Sequence, residues 1–181
     1  GEVRLNAGVM ANNLLGLGDQ LSFEGTSAGK RFNYGKLAYE LTLNGAGTKA
    51  GVSYSRLEYE LGKALKVLDA EGSANQATVW LSHPLVLNNQ TEVVVTTSYD
   101  HKRIKDDVGL AKTYRHRNVD TGRIRLDAFR FDDVGGGGLN QFGIAAAVGR
   151  VDFINDKARA LDEQTNRNQG TFKLFSANIA R

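Results

Sequence analysis

Residues 75–100 read NQATVWLSHPLVLNNQTEVVVTTSYD, and the alternation in this stretch decides the fold. In its first half Ala77, Val79 and Leu81 fall on one side and Thr78 and Ser82 on the other. In its second half Val93, Val95 and Tyr99 share a side. Glu92, Thr96, Ser98 and Asp100 take the opposite one, where only Val94 is apolar. Side chains of a strand point alternately to the two faces of a sheet, so a period of two predicts two strands, each greasy on one face and wet on the other. His83-Pro84 is expected to end the first strand, because proline cannot donate to a ladder and restrains the residue before it. Asn88-Asn89 supplies turn chemistry ahead of the second.

The same unit recurs outward in both directions. Alternation predicts strands over residues 2–11, 20–25, 34–43 and 49–59 before the central pair, and over 120–131, 141–151 and 171–179 after it. The cleanest sets Leu37, Tyr39, Leu41 and Leu43 against Lys36, Ala38, Glu40 and Thr42. The phase slips at Arg56-Leu57, which suggests a bulge or emergence from an apolar zone. Residues 60–72 are expected to form a short helix or a covering loop, and residues 102–117 a long charged connection. Compact turns near Gly16, Gly45, Asn88 and Gly136 alternate with longer connections near Lys66, Lys112 and Gln164.

Composition sets the outer limits. The chain has 181 residues, enough for one domain with a substantial core, and 41% of them are hydrophobic and 24% charged. Those values suit a soluble globular protein and equally a membrane barrel, whose inward residues are polar. No run approaches the roughly 18 apolar residues of a spanning helix. Cysteine is absent, which excludes disulfide staples and thiolate metal sites. One proline against 21 glycines fits long continuous strands joined by glycine-rich turns. The formal charge of +3 does not by itself indicate nucleic acid. Gly1-Glu2-Val3-Arg4 enters the alternation directly, with no signal peptide, as expected of a mature form or of a piece cut from a longer chain.

Two regularities favour an antiparallel transmembrane β-barrel over a soluble sandwich. Several strands reach about ten residues, the length a tilted strand needs to cross hydrocarbon, whereas sandwich strands are usually about five or six. The short and long connections alternate, as periplasmic turns and extracellular loops do in outer-membrane barrels. Lipid obliges every backbone N–H and C=O to pair within the sheet, so a spanning sheet must close. Nine apparent strands do not match the even count of bacterial single-chain barrels, which predicts that the chain is part of a larger barrel. Tyr34, Tyr39, Tyr54, Tyr59 and Tyr99 lie mostly toward strand ends, where an interfacial girdle would place them; tyrosine's preference for strands explains them too.

NNLLGLGDQL (12–21), YGKLAYELTL (34–43), GTKAGVSYSRLEYELG (47–62), LSHPLV (81–86), YDHKRIKD (99–106) and GGGGLNQFG (135–143) resemble, in matching order, the outer-membrane transporters of two-partner secretion. These are the haemolysin-activator and filamentous-haemagglutinin-exporter proteins of the Omp85 superfamily. The resemblance covers nearly the whole chain. It implies a partial barrel of about eight or nine strands from a sixteen-stranded one, with residues 1–181 forming the N-terminal half of the barrel domain. The family's plug helix, its two POTRA domains and the later loop with a Val-Arg-Gly-Tyr-like motif have no counterparts in these residues. The function it implies is a pore in the bacterial outer membrane that exports, and so activates, a secreted exoprotein such as a haemolysin or adhesin. Outer-membrane lipid and lipopolysaccharide are the surroundings it implies.

The residues themselves offer no catalytic, cofactor or metal constellation, so no enzyme is expected. His83, His101 and His116 are too scattered for metal-site spacing; the first reads as a turn residue and the others as solvated loop residues. Gly135–Gly138 is not followed by a helix N-terminus and reads as a hairpin turn rather than a phosphate cradle. Asp162, Glu163, Asn166 and Asn168 lack the glycine and terminal glutamate spacing of a calcium loop. The basic clusters 101–105 and 114–117 are read as solvated or lipopolysaccharide-facing loops, with no nucleic-acid partner. Lys36, Glu40, Glu92, Arg123, Arg125 and Asp127 are the candidate lumen-lining residues, because Arg or Lys facing lipid at the midplane costs about 2–4 kcal/mol. A wall of both signs can solvate an extended polypeptide without gripping it; the same charges could instead pair and stiffen the wall. The alternatives from other classes are a general porin and a soluble β-rich binding module.

Overall fold

The computed structural model describes residues 3–29, 32–60, 70–108, 113–154 and 169–181. Nine strands form one sheet in chain order: β1 Leu5–Asn12, β2 Gln20–Ser27, β3 Phe32–Thr42, β4 Lys49–Glu60, β5 Ala70–Leu87, β6 Thr91–Val108, β7 Thr113–Asp132, β8 Gly138–Phe153 and β9 Gly170–Ala180. Each is antiparallel to the next. Within the described residues β1 and β9 pair on one side only, so the sheet has two open edges. It is a partial barrel wall rather than a closed one.

Register turns the local alternation into two continuous faces. Leu21, Tyr39, Val52, Val79, Tyr99, Gly122 and Val148 are successive partners across seven strands. One residue along each strand, Gln20, Glu40, Gly51, Trp80, Ser98, Arg123 and Ala147 make the next row, on the opposite face. The first face is an apolar band and the second is mostly polar.

Among the described residues no dry core forms on either side. Leu37, Leu41, Val93 and Leu126 all lie on the apolar face and none is buried; Leu37 keeps 51% of its surface and Ile124 keeps 52%. The chain presents 12390 Å², against about 8,600 Å² for a compact monomer of its mass. An apolar face of this extent needs a medium other than water, which weighs against the soluble binding module.

Several expectations are corrected. Residues 102–117 are not a long connection, since β6 and β7 continue as a ladder to Val108 and Thr113. His101, His116 and both basic clusters therefore stand on strands. His101 Nδ1 lies 2.8 Å from Asp120 Oδ1, and His116 Nε2 lies 3.2 Å from Asp107 Oδ1. Inter-strand pairing outlasts the apolar pattern, which is why a reading of hydropathy stopped too early. Proline does not end β5 either: the strand runs on to Leu87, and the ladder absorbs Pro84 by a register shift between Pro84 and Val86. At Arg56 and Leu57 pairing is unbroken to both neighbours, so the phase slip marks emergence from the band. The helix-or-loop segment falls largely on 61–69, outside the described residues, but 70–72 belong to β5. The calcium-loop residues also lie outside them. Tyr34 and Tyr59 stand on the polar face, which leaves Tyr39, Tyr54 and Tyr99 on the apolar one.

β6 and β7, at 18 and 20 residues, are about 60 Å long, roughly twice what a tilted strand needs to span. Beyond Tyr99 the formerly apolar face carries His101, Arg103, Lys105 and Asp107 on β6, with Asp120 opposite His101. Tyr99 donates to Asp120 Oδ1 at 2.6 Å, so the tyrosine's ring closes the band and its hydroxyl meets the first charge above it.

At the other end the compact turns cluster: 13–19, 43–48, 88–90 and 133–137. The first is held by Asp19, the largest fully buried side chain. Its carboxylate accepts from the N–H groups of Leu15 and Leu17 and from the Tyr39 hydroxyl. Asn13 (φ 58°), Gly16 and Gly18 take the left-handed conformations the turn needs. In the last turn Asn140 Nδ2 and the Val134 N–H donate to Asp132, and together with Arg181 they hold its carboxyl below the usual range despite partial burial. That clamp is complete above the ordinary carboxylate pKa and is lost only as pH falls through the lower folded value.

A polar wall as the candidate functional site

The polar face is built around aromatic rings laid over glycines. Gly51 and Trp80 are direct partners on β4 and β5, and a Cβ on Gly51 would sit inside the indole. Gly72 lies under Tyr59 and Gly149 under Phe172 in the same way, again as direct partners. The missing side chain lets each ring lie flat on the opposite backbone, which compensates for glycine's poor fit to a strand. These three pairings escape a reading of sequence alone, because only register tells which ring meets which glycine.

Flat rings leave their polar ends free to bond along the wall. Trp80 Nε1 donates to Glu40 Oε2 at 3.2 Å, and Glu40 Oε1 meets Lys49 Nζ at 3.1 Å. The Tyr59 hydroxyl donates to Asp106 Oδ1 at 2.9 Å, and Arg117 reaches Asp106 Oδ2 at 3.4 Å. Gln76 and Thr78 both donate to Asp100, at 2.9 and 2.7 Å. Arg125 grips Asp127 through Nε and Nη2, at 2.6 and 2.7 Å, the bidentate geometry that makes such pairs strong.

All six candidate residues stand on this face, in two groups. Glu40 is tied to Trp80 and Lys49, and Arg125 to Asp127. Lys36, Glu92 and Arg123 have no side-chain hydrogen bond or ion pair among the described residues, although Lys36 stands opposite Glu24 in the ladder. The wall thus combines stiffening pairs with charges of both signs left open. Among the described residues no group of three or more His, Asp or Glu is placed to hold a metal.

No protein-family model matches the chain. Its sequence is similar to the Heme/hemopexin transporter protein HuxB of Haemophilus influenzae. Identity is 26% over 128 residues in one strain and 28% in another, covering 70% of this chain and 23% of the relative. Its fold is similar to that of CdiB from Acinetobacter baumannii, with a TM-score of 0.65, 16% identity and coverage of 97% of this chain and 31% of that one. The sequence match and the fold match point the same way. Both likenesses support a relation to the two-partner secretion transporters.

The two-faced sheet and these likenesses together support a place in the bacterial outer membrane. In that setting the apolar band, with Tyr39, Tyr54 and Tyr99 on it, is the side that meets acyl chains. The chain spans about a quarter of the length of the curated relatives it matches.

Proposed function

We propose that this sheet is part of the wall of an outer-membrane pore that exports, and so activates, a large secreted partner protein of the haemolysin or adhesin class. The polar face lines the lumen. The observation that carries this reading is the separation of faces: a largely apolar band on one side, with Thr97 and His83 as polar members among the valines and leucines, and on the other Lys36, Glu92 and Arg123 open beside the paired Glu40, Arg125 and Asp127. Turning the polar face to lipid would cost about 2–4 kcal/mol for each Lys or Arg at the midplane. The open edges of β1 and β9 expose backbone groups that lipid cannot satisfy, so further strands of the same barrel are proposed to pair with them.

A passing unfolded chain carries both charge signs and many bare peptide groups. Fixed charges of both signs, held apart on a stiff wall, replace its hydration without one dominant contact that would stall it. The conduit acts by guidance alone, with no nucleotide or cofactor and no enzymatic step. Lipopolysaccharide phosphates are the proposed neighbours of Arg103 and Lys105 above the band.

The test separates the open charges from the paired ones in the full-length protein. Replacing Lys36, Glu92 and Arg123 together by glutamine is expected to cut client secretion several-fold and change single-channel conductance, with barrel assembly intact. Replacing Arg125 by glutamine and Asp127 by asparagine is expected to lower thermal stability more than secretion. Secretion and conductance both unchanged in the first variant would reject guidance by this face. A changed conductance with normal secretion would place these charges in the pore but reject their part in guiding the client.

A further inference from the structure

The β1–β2 turn carries apolar side chains where solvent contact is the common rule for turns. Leu14, Leu15 and Leu17 keep 56%, 68% and 57% of their surface exposed, yet the turn is tightly built. Asn13 N–H donates to Asp19 O at 2.5 Å, the Asn13 side chain accepts from Gly18 N–H at 3.0 Å, and Asp19 captures Leu15 and Leu17. Asp19 stands on the apolar side of the sheet, two residues before Leu21, and the Tyr39 hydroxyl meets it there at 3.2 Å. The two N–H groups it captures tie the leucine-bearing tip to this apolar-side anchor, while the Thr42 hydroxyl donates to Gly18 O from the other side of the sheet at 3.1 Å. Leu21, Tyr39, Leu41 and the exposed Leu43 continue directly from that tip into the band.

We propose that this turn is a membrane wedge. Leu14, Leu15 and Leu17 enter the phospholipid leaflet on the short-turn side, and Asp19 is the positioning residue that holds them in the inserting conformation. The occupant is lipid because the tip is continuous with a face that already meets acyl chains. Apolar side chains on a small polar scaffold settle about 5–10 Å into the headgroup and acyl boundary. An aspartate suits this position because it satisfies two backbone N–H groups and a phenol that the headgroup region would otherwise have to solvate. The wedge depends only on membrane placement and holds whatever the pore transports.

The experiment uses the full-length protein with a single labelling cysteine, Leu15→Cys in one form and Ala46→Cys in another, each carrying an environment-sensitive fluorophore. Ala46 lies in the adjacent exposed turn and serves as the aqueous reference. In vesicles of phosphatidylethanolamine and phosphatidylglycerol containing spin-labelled lipid, the label at 15 is expected to be quenched several-fold more strongly than the label at 46. It is also expected to resist iodide. Adding Asp19→Asn should bring the label at 15 toward the behaviour of the label at 46, with the heat-modifiable barrel band on gels confirming assembly. Equal lipid quenching at the two positions would overturn the wedge. Protection from iodide without lipid quenching would also overturn it, and would assign the leucines to a protein domain instead.

Discussion

Leu126→Arg is expected to destabilise the full-length barrel in bilayers by about 2–4 kcal/mol, whereas Ser53→Arg changes stability by less than about 0.5 kcal/mol. Both replacements put the same cation on a strand near the middle of the sheet. They differ in face. Leu126 stands between Val95 and Ile144 in the apolar band, and Ser53 stands between Ala38 and Thr78 on the polar side. Arginine at Leu126 must be desolvated among acyl chains or drag water and headgroups down to it. At Ser53 it points into hydrated space. Denaturant titration of folding into vesicles measures both. Equal costs would mean that the two faces see the same medium, and the membrane orientation of the sheet would be wrong.

The second large effect is expected at Gly51. Gly51→Val should cost about 1–3 kcal/mol, as overpacking does, because the new side chain occupies the space of the Trp80 indole. The ring must swing off the wall, and its bond to Glu40 goes with it, freeing Glu40 and Lys49 from their shared anchor. Trp80 is the sole tryptophan of these 181 residues, so with tryptophans elsewhere in the protein changed to phenylalanine its emission reports the displacement as a shift to the red. Gly35→Val is the control, since a Cβ at Gly35 meets nothing within 4 Å. An unchanged Trp80 spectrum in Gly51→Val would show that the indole does not rest on that glycine.

Legibility differed from one part of the chain to another for physical reasons. Inside the apolar band a strand announces itself, because lipid on one side and water on the other favour alternation along most of its length. Val93, Val95, Ile124 and Leu126 were readable for that reason. Above the band both faces meet water, the enforcement stops, and residues 102–108 and 113–117 look like a charged loop while pairing as a ladder. Pro84 misled in the opposite sense: the missing N–H predicts a stop, but a local register shift carries the strand past it. Tyr34 and Tyr59 were indistinguishable by type from Tyr39 and Tyr99, and only their parity within the strand puts them on the other face.

By itself the sequence determined the fold class, the sense of the two faces and the membership of Lys36, Glu40, Glu92, Arg123, Arg125 and Asp127 in one of them. A period of two is a local property, written in neighbouring residues and read without knowing what lies across the ladder. Tertiary structure alone decided which of those charges are paired and which are open, which rings lie on which glycines, and how the leucine turn is clamped. Those are contacts between residues tens of positions apart, and strand register brings them together.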